Sequence, residues 1–302
     1  MLPSEVDYHA ACAKKWFGKA GIPEMPFAHT SVHELAKQIV RAQVAVTGVQ
    51  PKLSLDIAKI EGTTRFTLVG LQGRYILKPQ TDCYPYLPEN EDLTMQLAEA
   101  IGIDTVPHVL MRMADGKLAY LARRIDRTAK GEKVAMEDFC QLSEQLTEYK
   151  YRGSHERITK IIRRFSEAPG LDIVAFWTLV LFCWLTGNND MHLKNFSLYQ
   201  PHGAGFLLSP AYDLLNVAIV NPADHEELAL TLNGKKSKLH RADFEMAMLD
   251  SGMDKKAVEN VFRKFEKVYP KWESIIHRSF IPKEMQDAYL QIVQERISRL
   301  YA

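Results

Sequence analysis

The rhythm of apolar and polar positions changes partway along the chain. Residues 5–20 carry a helical spacing that ends at Gly18 and Gly21. Ser31-Val32-His33-Glu34 has the form of a capping box and predicts a helix through about Ala42, with Leu35, Ile39 and Val40 on one face. From Val44 the pattern alternates. Leu53 to Ile57, Arg65 to Val69 and Arg74 to Lys78 read as strands, separated by turns at Glu61-Gly62 and Gln72-Gly73. Pro85 and Pro88 close that region, and Asn90 stands where it would cap a helix from Glu91 to Ile101, stopped by Gly102. Two more strands, His108 to Met113 and Lys117 to Arg124, flank an Asp115-Gly116 turn. Beyond about residue 134 the helical period dominates. It predicts helices at 136–146, 155–167, 171–186, 241–251, 254–280 and 283–301, with a further strand at Glu227 to Leu232 and a turn at Asn233-Gly234. The layout is α+β and two-lobed: a helical segment 1–43, a sheet-rich lobe 44–127 and a helical lobe 128–302. The cleft between lobes is the expected ligand site.

Composition narrows the class. The 38 basic and 37 acidic residues leave a formal charge of +1, which argues against a non-specific nucleic-acid binder. The four cysteines, Cys12, Cys83, Cys140 and Cys183, form no paired C-x-x-C, so neither a zinc site nor a disulfide framework is indicated and a cytoplasmic location is expected. The most apolar run, Leu171 to Leu185, is shorter than a membrane span and contains Asp172 and Thr178; it reads as a buried helix, and no membrane association is expected.

Chemistry concentrates after that run. Gly187 to Ser197 gathers Asp190, His192, Lys194 and Asn195 in one polar loop, and Asp213 follows a short apolar segment. Asp190, Asn195 and Asp213 are oxygen ligands of the kind Mg²⁺ takes. Their order, an acid, an Asn five residues on, then a second acid, is that of the base and two metal ligands of kinase phosphoryl transfer. His192 reads as a loop-shaping hydrogen-bonding residue, with base or metal ligand as its other readings. Lys194 is either a partner for a γ-phosphate or a solvated loop lysine. Lys78, closing a strand, is a candidate phosphate-binding cation, and Glu91 is its candidate ion-pair partner, although Glu89 and Asp92 are also available. Thr47-Gly48-Val49-Gln50-Pro51-Lys52 is a candidate phosphate-cradling turn without the spacing of the common glycine-rich motifs. Arg123-Arg124-Ile125-Asp126-Arg127 joins the lobes and offers backbone groups to an adenine.

Taken together these segments resemble the HipA family of bacterial serine/threonine kinases, the toxins of type II toxin–antitoxin modules. The matching pieces, in family order, are Thr47 to Leu53, Tyr75 to Pro79, Glu89 to Glu91, Arg123 to Arg127, Gly187 to Ser197 and Ser209 to Asp213. The resemblance implies a protein-kinase-like fold related to phosphoinositide kinases. It implies Asp190 as catalytic base, Asn195 and Asp213 as Mg²⁺ ligands, Lys78 on the ATP phosphates and Arg123 to Ile125 at the adenine. It further implies an aminoacyl-tRNA synthetase as the substrate, and growth arrest as the outcome. The expected partner is a HipB-like helix-turn-helix antitoxin. Full-length HipA proteins carry an extra N-terminal subdomain that is not found here, so the short HipT-like form is expected, with a separate HipS-like small antitoxin. HipA carries an autophosphorylated serine three residues before the loop glycine, and HipT has serines there and one residue before it. Ala45 and Thr47 occupy those places, which leaves Thr47 as the expected autophosphorylation site. Three other readings compete: a small-molecule or lipid kinase, an inactive regulatory subunit of an antitoxin complex, and a metal-dependent hydrolase using Asp190, His192 and Asp213.

Overall fold

Alternating side chains give the first sheet one face to bury. Its strands are β1 (Leu53–Ile60), β2 (Thr63–Leu68), β3 (Tyr75–Lys78), β4 (His108–Arg112) and β5 (Leu118–Arg123), paired antiparallel in the order β2-β1-β3-β5-β4. The structure is a computed structural model that describes residues 7–17, 21–29, 31, 52–69, 72–201 and 203–302. The helix expected through Ala42 and the loop residues Thr47, Gly48, Val49 and Gln50 lie outside the described residues. Glu61 and Gly62 turn β1 into β2 with φ of 51° and 83°, the left-handed pair that a two-residue hairpin requires.

Leu53, Leu55, Phe66, Tyr75, Leu77, Met111, Ala119 and Leu121 close around Met25. The helix α1 (Ala10–Phe17) packs Trp16 and Phe17 against them. Since Tyr75 and Leu77 enter this cluster, the period of two sends Ile76 and Lys78 to the opposite face. There Lys78 meets α2 (Leu87–Ala100). This helix begins earlier than the sequence predicts. Pro88 stands in its first turn, where a missing N–H costs nothing, and the Asn90 amide already donates to the Tyr86 carbonyl at 2.9 Å. Asn90 is therefore a buried helix residue and not the cap.

Chain contacts divide the molecule into two units, residues 1–92 with 106–132, and residues 93–105 with 133–302. The second unit is built on α5 (Pro169–Leu185), in which every residue from Phe176 to Leu185 is buried. A helix apolar on all sides needs cover on all sides. Packed on it are α4 (His155–Phe165), α7 (Lys255–His277) and α8 (Lys283–Tyr301). The helix α6 (Arg241–Asp250) packs on α7 and α8. Polar bonds tie in the end of α2: the Trp272 indole donates to the Leu97 carbonyl at 3.1 Å, and the Thr94 and Tyr289 hydroxyls lie 3.0 Å apart. A small antiparallel sheet, β6 (Met136–Asp138), β7 (Ser197–Tyr199) and β8 (Leu207–Leu208), lies in the order β6-β7-β8. Among the described residues no helix is long and apolar enough to cross a membrane.

Two expectations for this unit are corrected. Residues 136–146 are not one helix: β6 pairs with β7, and only then does the short α3 (Phe139–Leu142) begin, capped reciprocally by Asp138 and Gln141. Nor is Glu227 to Leu232 a strand. Its amides bond loops, Glu227 to the Lys236 carbonyl at 2.8 Å and Thr231 to the Gly153 carbonyl at 3.3 Å, while Leu228, Leu230 and Leu232 are buried. The apolar alternation there reflects burial without a ladder.

Candidate functional site

The polar loop starts where α5 stops. Gly187, at φ 76°, donates to the Trp184 carbonyl, and the Asn188 amide donates to the Cys183 carbonyl at 2.9 Å, a helix-ending pattern that suits glycine. A side chain at Gly187 would also place its Cβ 2.5 Å from Asn216 Oδ1. The loop is held from within. The Asp190 carbonyl accepts the His192 amide at 2.9 Å and Asn195 Nδ2 at 3.0 Å, and the Asn195 amide donates to the His192 carbonyl at 2.9 Å. Met191, Leu193 and Phe196 are buried anchors between the polar residues.

These anchors fix the chemistry-bearing side chains. Asp190 Oδ1 accepts the Tyr151 hydroxyl at 2.6 Å, and Oδ2 has no hydrogen bond from the described residues. Asn195 spends its Nδ2 on the loop, and its Oδ1 likewise has no partner among the described residues. Asp213 sits at φ 60°, a left-handed backbone uncommon for a residue with a side chain. It follows Tyr212, whose hydroxyl lies 2.6 Å from Ser197 Oγ. His192 is buried with its Nδ1 unpartnered among the described residues. Burial holds its pKa below the ordinary imidazole value; Asp190 pulls the other way, Lys150 lowers it further, and Asp213 raises it. Asp190 and Asp213 are thus both within electrostatic reach of this neutral ring. Lys194 is turned aside: its Nζ lies 2.8 Å from Asp138 Oδ2.

In the first unit the structure selects among three neighbouring acids. Lys78 Nζ and Glu91 Oε1 are 2.5 Å apart, with Lys78 5% and Glu91 1% exposed. The Tyr120 ring lies under the ammonium at 5.4 Å. Glu89 instead takes Gln80, and Asp92 lies 4.0 Å from His108. Lys52 is exposed at the start of β1. Arg123 turns its guanidinium to the Trp16 carbonyl and ring, while its amide bonds the Pro107 carbonyl. The Arg124 amide bonds the Arg74 carbonyl, and its guanidinium grips Asp126 in a fork at 2.8 and 2.6 Å. Burial pushes the Asp126 carboxyl up, and Arg124, Arg127 and a backbone hydrogen bond together more than offset that, leaving it below the usual range. Neither of these two amide bonds involves Ile125.

The candidate donors, Asn195 Oδ1 and the Asp213 carboxylate, are of the kind a phosphate-bound Mg²⁺ would accept. Among the described residues no three His, Cys, Asp or Glu side chains cluster as ligands. One amide oxygen and one carboxylate would leave most positions of such an ion to substrate oxygens and water. Sequence reasoning missed Tyr151 and Asp138. Each reaches the loop from a distant stretch, and no local spacing marks either one.

A buried lysine–glutamate pair on a small sheet, and an Asp–x–His–x–x–Asn loop in a helical unit, are the parts of a kinase-like α+β fold. That fold is shared with the HipA chain in the structure of the Shewanella oneidensis toxin–antitoxin system HipA, HipB and its operator DNA complex. The TM-score is 0.72 at 20% identity, covering 93% of this chain and 73% of that one. The family model for the HipA-like C-terminal domain matches residues 44–272, and the chain belongs to that family. It is 27% identical to a Haemophilus influenzae protein named as a candidate kinase, over 92% of this chain and 88% of that protein. It is also 27% identical, over 64% of its own length, to the S. oneidensis serine/threonine-protein kinase toxin HipA, of which it spans 47%.

Proposed function

We propose that this protein is a Mg²⁺-ATP-dependent serine/threonine protein kinase, the toxin of a type II toxin–antitoxin pair. The observation that carries the reading is the state of Asp190: one carboxylate oxygen is fixed by Tyr151, and the other lacks a donor among the described residues. Such an oxygen accepts the proton of a substrate serine hydroxyl as the phosphoryl group is transferred. Asn195 Oδ1 and the Asp213 carboxylate would hold Mg²⁺, which when bound neutralises the charge on the β- and γ-phosphates. Lys78, fixed by Glu91, would hold the α/β-phosphates. The Ile125 backbone is the simplest adenine contact, because the Arg123 and Arg124 amides are engaged.

The substrate we propose is an aminoacyl-tRNA synthetase, and the partners a HipB-like and a HipS-like antitoxin. The solved HipA with its HipB and operator DNA supports the first partner by likeness alone. Thr47 would be the self-modified residue; about two negative charges placed there would repel ATP phosphates. The test incubates the protein with γ-labelled ATP, Mg²⁺ and cell lysate. Wild type is expected to label one foreign band and to gain one phosphate in its own intact mass, and Asp190→Asn to do neither. Released phosphate with no labelled protein would overturn the reading in favour of hydrolysis. An unshifted mass in an active enzyme would remove Thr47 alone.

A further inference from the structure

Tyr151 is 45% exposed, yet its hydroxyl is committed to Asp190 Oδ1 at 2.6 Å across 39 residues of chain. Three contacts hold the segment that carries it. The Lys150 carbonyl accepts the Leu193 amide at 3.0 Å, so the residue before Tyr151 is bonded into the polar loop itself. The Gly153 carbonyl accepts the Thr231 hydroxyl at 3.2 Å. A Cβ at Gly153 would lie 3.3 Å from Leu193 Cδ2, so the segment rests directly on the loop. The ring is also held, edge-on to His192 with centroids 5.0 Å apart and planes at 82°. The phenol stays protonated, because burial and then the Asp190 carboxylate push its pKa up.

We infer that Tyr151 is a positioning residue for phosphoryl transfer: its hydroxyl fixes the rotation of the Asp190 carboxylate and so presents Oδ2 to the acceptor hydroxyl. This rests on the kinase reading above. An aspartate swings freely about its last bond, and a single donor on one oxygen removes that freedom without blocking the other. The geometric demand on a general base is strict, within about 2.6–3.2 Å of the proton it takes. The contacts of Tyr151 among the described residues are with Asp190, His192 and Lys150 and not with Asn195 or Asp213, so its loss is expected to leave nucleotide binding unchanged.

The experiment compares wild type, Tyr151→Phe, Asp190→Asn and the double variant in labelling of lysate protein by γ-labelled ATP, alongside melting temperature. Tyr151→Phe keeps the ring on His192 and removes only the donor. It is expected to lower the labelling rate at saturating Mg²⁺-ATP by between about tenfold and a hundredfold, as misplaced catalytic groups do, with the apparent KM for ATP and the melting temperature unchanged. In the Asp190→Asn background the same change is expected to have no further effect, since the group it orients is gone. A Tyr151→Phe enzyme with an unchanged rate, or one whose loss comes through a raised KM for ATP or a lowered melting temperature, would overturn the inference while the kinase reading stands. Wild type that labels nothing, or Asp190→Asn that labels normally, would overturn the kinase reading and this inference with it.

Discussion

The Lys78–Glu91 pair shows what one residue's surroundings decide. Both side chains are buried and paired with each other. Removing one partner of such a pair leaves an uncompensated buried charge and costs about 3–5 kcal/mol, whereas replacing both with apolar groups is often neutral. Lys78→Met is therefore expected to lower the denaturant midpoint sharply, and Lys78→Met with Glu91→Leu to recover most of it, with phosphoryl transfer lost in both. A single variant as stable as wild type in urea would contradict the buried pairing. Lys78 itself was legible as a strand-ending lysine. Glu91 was legible as its candidate partner, with Glu89 and Asp92 left open, since which acid faces the sheet depends on tertiary packing that no local spacing shows; the contact goes to Glu91. The same limit hid Tyr151: a donor 39 residues away leaves no mark beside Asp190.

At the scale of elements, the buried α5 and the polar loop after it could be read directly, because an all-apolar run and a cluster of polar residues are strong local patterns. The elements misread were those whose state depends on a partner: β6 needs β7, and the Leu228–Leu232 stretch makes only isolated bridges, Thr231 with Ser154 and Leu232 with Lys235, among the described residues. His155 carries a testable property of this packing. It opens α4 fully buried against Phe176, Trp177 and Phe196, with Nδ1 on the Thr231 carbonyl at 3.1 Å. Burial lowers its pKa to about 4, against smaller opposing effects of the Thr231 carbonyl and Glu156. The folded state thus binds fewer protons than the unfolded chain between about pH 4 and the ordinary histidine value of about 6.5. The stability this neutral ring contributes is present in full above that window and is lost as pH falls through it, by at most about 3 kcal/mol. Thermal melts at about pH 7.5 and about pH 5 are expected to differ less in His155→Gln than in wild type. An unchanged difference would show that His155 titrates normally. His192, also depressed, acts in the same direction.

For the whole molecule, the two compact units each carry part of the proposed machinery: Lys78 and Glu91 in one, Asp190, Asn195 and Asp213 in the other. The fold class and the family were legible from segment order, since the match spans residues 44–272. The central claim is that this machinery transfers phosphate to a protein serine through Asp190. Its most direct test is phosphopeptide mass spectrometry of cells after brief expression of wild type or Asp190→Asn. The account predicts a phosphoserine on one host protein, an aminoacyl-tRNA synthetase, present with wild type and absent with the variant. Phosphopeptide profiles that do not differ between the two would contradict it.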